Sequence, residues 1–104
     1  GIISAEAIAA LPQGARILNI ARGEVVDQDA MIAALRSGHL GGAYLDVVTP
    51  EPLPSESPLW DMPNVIITPH NSAVATGNEQ RQLAIFCENL GRWARRETLL
   101  NQVN

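Results

Sequence analysis

Apolar and polar positions follow two rhythms along this chain, and the switches between them predict its elements. Residues Ser4–Leu11 predict a short helix: Ser4 can cap it, Glu6 suits the positive end of its dipole, and Pro12 to Gly14 stop it. Arg16-Ile-Leu-Asn-Ile-Ala21 is a short apolar run without alternation, the pattern of a strand covered on both faces in a parallel sheet. After Gly23, Asp27 or Asp29 can cap a helix running through about Ser37, with Met31, Ala34 and Leu35 on one face. Gly38 is placed to end that helix in a left-handed turn. A second apolar run, Ala43–Val48, and a third, Asn64–Thr68, predict two further strands. From roughly Ala75 to Glu97, Leu83, Phe86, Cys87, Leu90 and Trp93 or Ala94 recur at helical spacing and predict a long helix.

Strand, helix and strand with short joints make a right-handed βαβ unit, so the first two strands are expected to be parallel. The predicted class is α/β, with three strands, flanking helices and a long C-terminal helix. Residues 49–63 break the pattern, because five of the seven prolines lie there and disfavour both regular helix and central strand. A rigid loop of this length inside a compact domain is uncommon and usually either functional or disordered.

Composition narrows the chemistry. At 104 residues and 46% hydrophobic, the chain is domain-sized and able to bury a core. Its net charge of -4 argues against nucleic acid or an anionic membrane surface as partner. All seven basic residues are arginine, which excludes a Schiff-base lysine and a phosphate-loop lysine within these residues. One cysteine cannot form an internal disulfide, no apolar run approaches a bilayer span, and no secretory signal is recognisable, so a cytoplasmic protein is expected. The first residue is Gly1 and not Met, which leads us to expect a piece of something longer.

Ligands of open α/β sheets bind outside the carboxyl ends of the strands. The first strand runs into Arg22, the second carries Asp46 towards its carboxyl end with Glu51 in the loop beyond, and the third runs into His70. Singly, each has a plain explanation: a surface charge, or a satisfied loop histidine. Together, at three successive strand ends, they form a candidate site.

Ile17-Leu-Asn-Ile-Ala-Arg-Gly-Glu-Val-Val-Asp27, Gly42-Ala-Tyr-Leu-Asp-Val-Val48, Glu51-Pro-Leu-Pro54, Pro58-Leu-Trp60 and Asn64-Val-Ile-Ile-Thr-Pro-His70 occur in this order. The series resembles the D-isomer-specific 2-hydroxyacid dehydrogenases, the family of phosphoglycerate, D-lactate, glyoxylate and hydroxypyruvate enzymes. The resemblance covers nearly the whole chain and implies the C-terminal half of a Rossmann-type doubly wound sheet, part of an NAD(P)-binding domain over residues 1–104. It implies that Arg22 binds the substrate, that His70 is the catalytic acid/base and that Glu51 pairs with it. It further implies that Asp46 contacts the nicotinamide end of NAD or NADP. The backbone of Ile20, Ala21 and Arg22, and of His70, Asn71, Ser72 and Ala73, would supply further cofactor contacts. Residues 51–60 lean towards the glyoxylate/hydroxypyruvate branch.

These residue types suit reduction of a 2-oxo acid. Arginine's planar fork grips a carboxylate and polarises a carbonyl. Histidine donates a proton near neutral pH, and a carboxylate on its far ring nitrogen fixes the tautomer and favours the charged ring.

None of the eight glycines falls in a G-x-G-x-x-G turn, and Gly38, Gly41 and Gly42 read as helix-end and turn glycines. With the fingerprint and the substrate domain outside these residues, the chain alone is expected to be inactive, to bind NAD weakly or not at all, and to self-associate or re-pair its elements. The complete protein is expected to be a homodimer acting on a small 2-oxo or 2-hydroxy acid. Two other classes compete: an NAD-sensing, corepressor-like regulator of the same fold, and a free-standing interaction module. Cys87 reads as a core or interface thiol and Trp60 and Trp93 as packing residues, the resemblance placing the Trp60 stretch close to the active-site loop, where it could support Glu51 indirectly; His39, His70 and Cys87 lack metal-ligand spacing. Arg92, Arg95 and Arg96 suit the negative end of a helix.

Overall fold

The hydroxyl of Ser4 accepts a hydrogen bond from the Ala7 amide and opens α1, Ala5–Ala9. A computed structural model of the chain describes residues 1–103 and divides it into two compact units, Gly1–Ser72 and a second that begins at Ala73. In the first unit α1 is followed by β1 (Ala15–Asn19), α2 (Gln28–Arg36), β2 (Leu40–Leu45) and β3 (Val65–Ile67). The three strands are parallel in the order β1-β2-β3. Leu18, Tyr44 and Ile66 sit side by side in one row, and Asn19, Leu45 and Ile67 in the next.

Of the two aspartates able to cap α2, Asp27 does so, accepting from the Ala30 amide at 3.0 Å, while Asp29 lies in the first turn. Met31 and Leu35 of α2 are buried, and with Ile8 of α1 they cover one face of the sheet beneath Leu40 and Leu45. The other face is open among the described residues: Leu18 is 72% exposed and Ile66 61%. Coverage on both faces, expected from the apolar run of β1, is therefore not what these residues form. The helices of this unit cover only the Ile17 and Asn19 side of β1, so burial alternates along it.

The ends of β1 and β2 differ from the sequence pattern for local reasons. β1 stops at Asn19, short of Ala21, because the Asn19 side chain takes over the backbone: Oδ1 accepts from the Ala21 amide at 3.1 Å and Nδ2 donates to the Arg22 carbonyl at 2.8 Å. β2 starts at Leu40, so Gly41 and Gly42 are strand residues and not turn glycines. A Cβ would lie 2.6 Å from the Gly14 carbonyl oxygen at Gly41, and 2.8 Å from that of Asn64 at Gly42, so glycine admits these close backbone approaches. β2 ends at Leu45, which places Asp46 just beyond the strand.

The link from β2 to β3 contains no α-helix. Thr49–Pro50 and Glu51–Pro52 are cis, and a single 3-10 turn, Pro58–Asp61, is capped by Ser57 and anchored by the buried Leu59.

The second unit holds α3, Asn78–Ala94, which begins after Gly77 in a left-handed conformation (φ 82°). Its stripe residues Leu83, Phe86, Leu90 and Trp93 are exposed, as is Cys87, so that thiol does not sit in a core among the described residues. A stripe at helical spacing marks a face suited to burial and does not say what buries it. Among the described residues no helix is long and apolar enough to cross a membrane, and no group of His, Cys, Asp and Glu could hold a metal ion.

Candidate active site

Three strand ends build the site. At the end of β1, Asn19 is buried and pins the Ala21–Arg22 backbone, so the chain leaves the sheet in a fixed turn. Gly23 lets that turn close against the β2 end: a Cβ there would meet the Val48 carbonyl oxygen at 2.1 Å and Thr49 Oγ1 at 2.3 Å. Ile20, Ala21 and Arg22 remain exposed. The Arg22 guanidinium turns back onto the Ala21 carbonyl oxygen at 2.6 Å and does not line the cleft described below.

At the end of β2, Asp46 is only 2% exposed. One carboxylate oxygen accepts from Thr68 Oγ1 at 2.5 Å and from the Asn71 amide at 3.0 Å, and the other accepts from the Ser72 amide at 2.8 Å. Burial alone would raise the pKa of this carboxyl, but the hydrogen bonds from Thr68, Ser72 and Asn71 outweigh it and hold the group well below the usual carboxylate range. Asp46 therefore points inward and clamps the turn that follows β3. The Asn71 and Ser72 amides are consumed in the clamp, although both residues are otherwise exposed.

That turn carries His70 in the left-handed region, with φ 51°. A non-glycine residue held there stores on the order of 1 kcal/mol or more, and such strain persists only where neighbours over-determine it. Here the His70 amide donates to the Thr68 carbonyl at 3.0 Å, and Asp46 fixes the next two amides.

The structure brings Glu51 and His70 together. His70 Nδ1 lies 2.8 Å from Glu51 Oε1, with each side chain 44% exposed. They share a cleft of roughly 290 Å³ with Val48, Pro52, Trp60 and Pro69 among its walls. Trp60, expected to be a packing residue, is 53% exposed, and its indole N–H donates to the Pro54 carbonyl at 2.9 Å. Ala73, the first residue of the second unit, is exposed.

Sequence reasoning missed Asn19 and Thr68. A polar residue interrupting the run Ile17-Leu-Asn-Ile20 was the available signal for the first; Thr68, two residues before His70, gave none until the turn closed on Asp46. Chemically, the cleft offers a histidine whose Nδ1 is committed to a carboxylate, leaving Nε2 to exchange a proton, beside a turn that carries an exposed arginine.

Comparisons with known proteins bear on this geometry. Residues 1–72 match the family model described as D-isomer specific 2-hydroxyacid dehydrogenase, NAD binding domain. The whole chain is 44% identical to 33% of glyoxylate/hydroxypyruvate reductase A from Klebsiella pneumoniae subsp. pneumoniae. It superposes over its full length on 42% of a D-isomer specific 2-hydroxyacid dehydrogenase from Xanthobacter autotrophicus Py2, solved with NADPH and MES, at a TM-score of 0.91 and 49% identity. An NADPH-dependent glyoxylate/hydroxypyruvate reductase from Sinorhizobium meliloti, solved with NADP and sulfate, matches over 34% of its length at a TM-score of 0.82 and 36% identity. The chain spans about a third of the length of the curated relative it matches from end to end.

Proposed function

The chain belongs to the D-isomer specific 2-hydroxyacid dehydrogenase family through its NAD binding domain, and on that premise we propose that the intact protein reduces a short 2-oxo acid to the 2-hydroxy acid, in the D form where the product is chiral. Glyoxylate and hydroxypyruvate, for which its relatives are named, are the substrates of choice. The observation that carries the proposal is the His70–Glu51 pair in a cleft at the carboxyl ends of parallel strands.

The residues fit a nicotinamide cofactor, since the exposed apolar Ile20 and the Ala21–Arg22 backbone follow directly on β1, at the edge where open α/β sheets bind dinucleotides. When bound, that cofactor supplies the hydride received by the substrate's carbonyl carbon. His70 donates the proton of Nε2 to the carbonyl oxygen, while Nδ1–H stays on Glu51 and fixes the ring. Arg22 leaves the Ala21 carbonyl by a side-chain rotation and grips the substrate carboxylate through its planar fork. Asp46 acts through the backbone, holding the His70–Ser72 turn in place. In the oxidative direction His70 takes the proton back.

The test is oxidation of NADPH and NADH by the intact protein with glyoxylate, hydroxypyruvate and other short 2-oxo acids. Turnover is expected, and His70→Asn is expected to lower kcat by about 10²–10⁴-fold, the span of general acid catalysis. No turnover on any of these acids, with NADPH still bound, would overturn the reading in favour of a cofactor-sensing protein.

A further inference from the structure

Glu51 is an exposed side chain on an irregular loop, yet its reach to His70 is only 2.8 Å, and the loop needs a reason to stay. Two side chains outside the His70–Glu51 pair supply one, at opposite ends of the segment Thr49–Pro54. At its start, the Gln28 amide brackets one backbone residue: Nε2 donates to the Thr49 carbonyl at 2.5 Å, and Oε1 accepts from the Thr49 amide at 3.0 Å. Gln28 is the first residue of α2, so the bracket ties the loop to a capped helix of the core. At the far end, the Trp60 indole N–H holds the Pro54 carbonyl at 2.9 Å, and its neighbour Leu59, 1% exposed, is sunk in the same core. Cleft walls and loop anchor are thus one piece, since Trp60 also faces the space shared by Glu51 and His70.

We propose that Gln28 and Trp60 are positioning residues that set the Glu51–His70 distance, acting on the proton donor without touching substrate. The role of the pair rests on the proposed dehydrogenase activity; the tethering does not. A side-chain amide donates and accepts through two separate atoms and so can bracket one backbone residue, whereas a carboxylate in its place is acceptor-only. Gln28→Glu therefore keeps the Thr49 amide and repels the Thr49 carbonyl. Trp60→Phe keeps an aromatic ring at this place while removing the donor together with the pyrrole half of the indole.

The experiment follows the ring ¹⁵N signals of His70 in the intact protein, with His39, whose Nε2 lies 3.0 Å from the Ile8 carbonyl oxygen, as internal control of the fold. Gln28→Glu and Trp60→Phe are expected to move the His70 signals in the direction given by Glu51→Gln, leaving His39 unmoved. The kcat for 2-oxo acid reduction is expected to fall roughly fivefold in each, the size of one net hydrogen bond, with little change in the KM for NADPH. Neither is expected to lower kcat further in a Glu51→Gln background, because neighbours acting through one group are non-additive. Unmoved His70 signals, or losses that add to that of Glu51→Gln, would overturn the tethering. If Glu51→Gln and both tether variants move the ring signals and turnover does not respond, the proposed role of the pair in the reaction fails and the tethering stands.

Discussion

Asp46 shows how much one buried side chain can control. Its carboxylate accepts from Thr68, Asn71 and Ser72, and the last two bonds fix the turn on which His70 sits. Asp46→Asn replaces an acceptor by a donor opposite backbone N–H groups, so the turn is expected to loosen and kcat to fall on the order of 10²-fold, the effect of misplacing a reacting group by about an ångström. Unchanged kinetics of 2-oxo acid reduction would count against that role. The same bonds set an acid limit. Because the folded carboxyl titrates below its unfolded value of about 3.9, its contribution is present above that pH and is lost only as the pH falls through the lower, folded value. The amide signals of Asn71 and Ser72 are thus expected to stay flat through about pH 4, where an ordinary aspartate is already half protonated. A transition centred at the ordinary value would refute the clamp. At this scale the sequence shows ionisable residues at strand ends, and so Glu51 and His70 are legible. It does not show which way a carboxylate faces, because that depends on amides more than twenty positions away.

At the scale of elements, the turn after β1 is fitted to the loop after β2 through a position with no side chain. Gly23→Ala would drive a Cβ into the Val48 carbonyl oxygen and Thr49 Oγ1. Both turns must shift, and we expect a loss of about 1–3 kcal/mol of stability in chemical denaturation, the usual cost of overpacking. An unchanged midpoint would mean that the two turns move apart freely. Element types were legible from periodicity: α2 with its Met31 and Leu35 face, and the three strands, while the choice of Asp27 over Asp29 as cap was not. Boundaries were not, and the reasons are local. Glycine pairs normally signal turns, but Gly41 and Gly42 serve close approach inside a strand, and Asn19 ends β1 with side-chain bonds that no apolar count registers.

At the scale of the whole chain, large apolar side chains face water in both units. Leu18 and Ile66 are exposed on the sheet of the first unit, and Phe86 and Trp93 on the helix of the second. Contiguous apolar patches of this kind mark surfaces meant for burial. The 104-residue chain in isolation is expected to self-associate, and Phe86→Glu with Trp93→Glu to reduce that association in sedimentation velocity. A monomer at working concentration would show that these faces tolerate water. The family was legible at this scale because ordered, spaced motifs survive where single residues mislead. The helical stripe could be seen but not its cover, since periodicity marks a face and never its partner.

The left-handed backbone of His70, with φ 51°, also governs how the residue should be replaced. Asparagine is among the few non-glycine residues that occupy this region readily, whereas alanine carries the full steric penalty. An alanine at position 70 would mix two losses, the missing proton donor and a relaxed turn, and a dead variant of that kind says little about chemistry. Asparagine keeps the shape of the turn and a side-chain donor within reach of Glu51. For a scan of this site, the backbone selects the vocabulary of informative substitutions before the imidazole does.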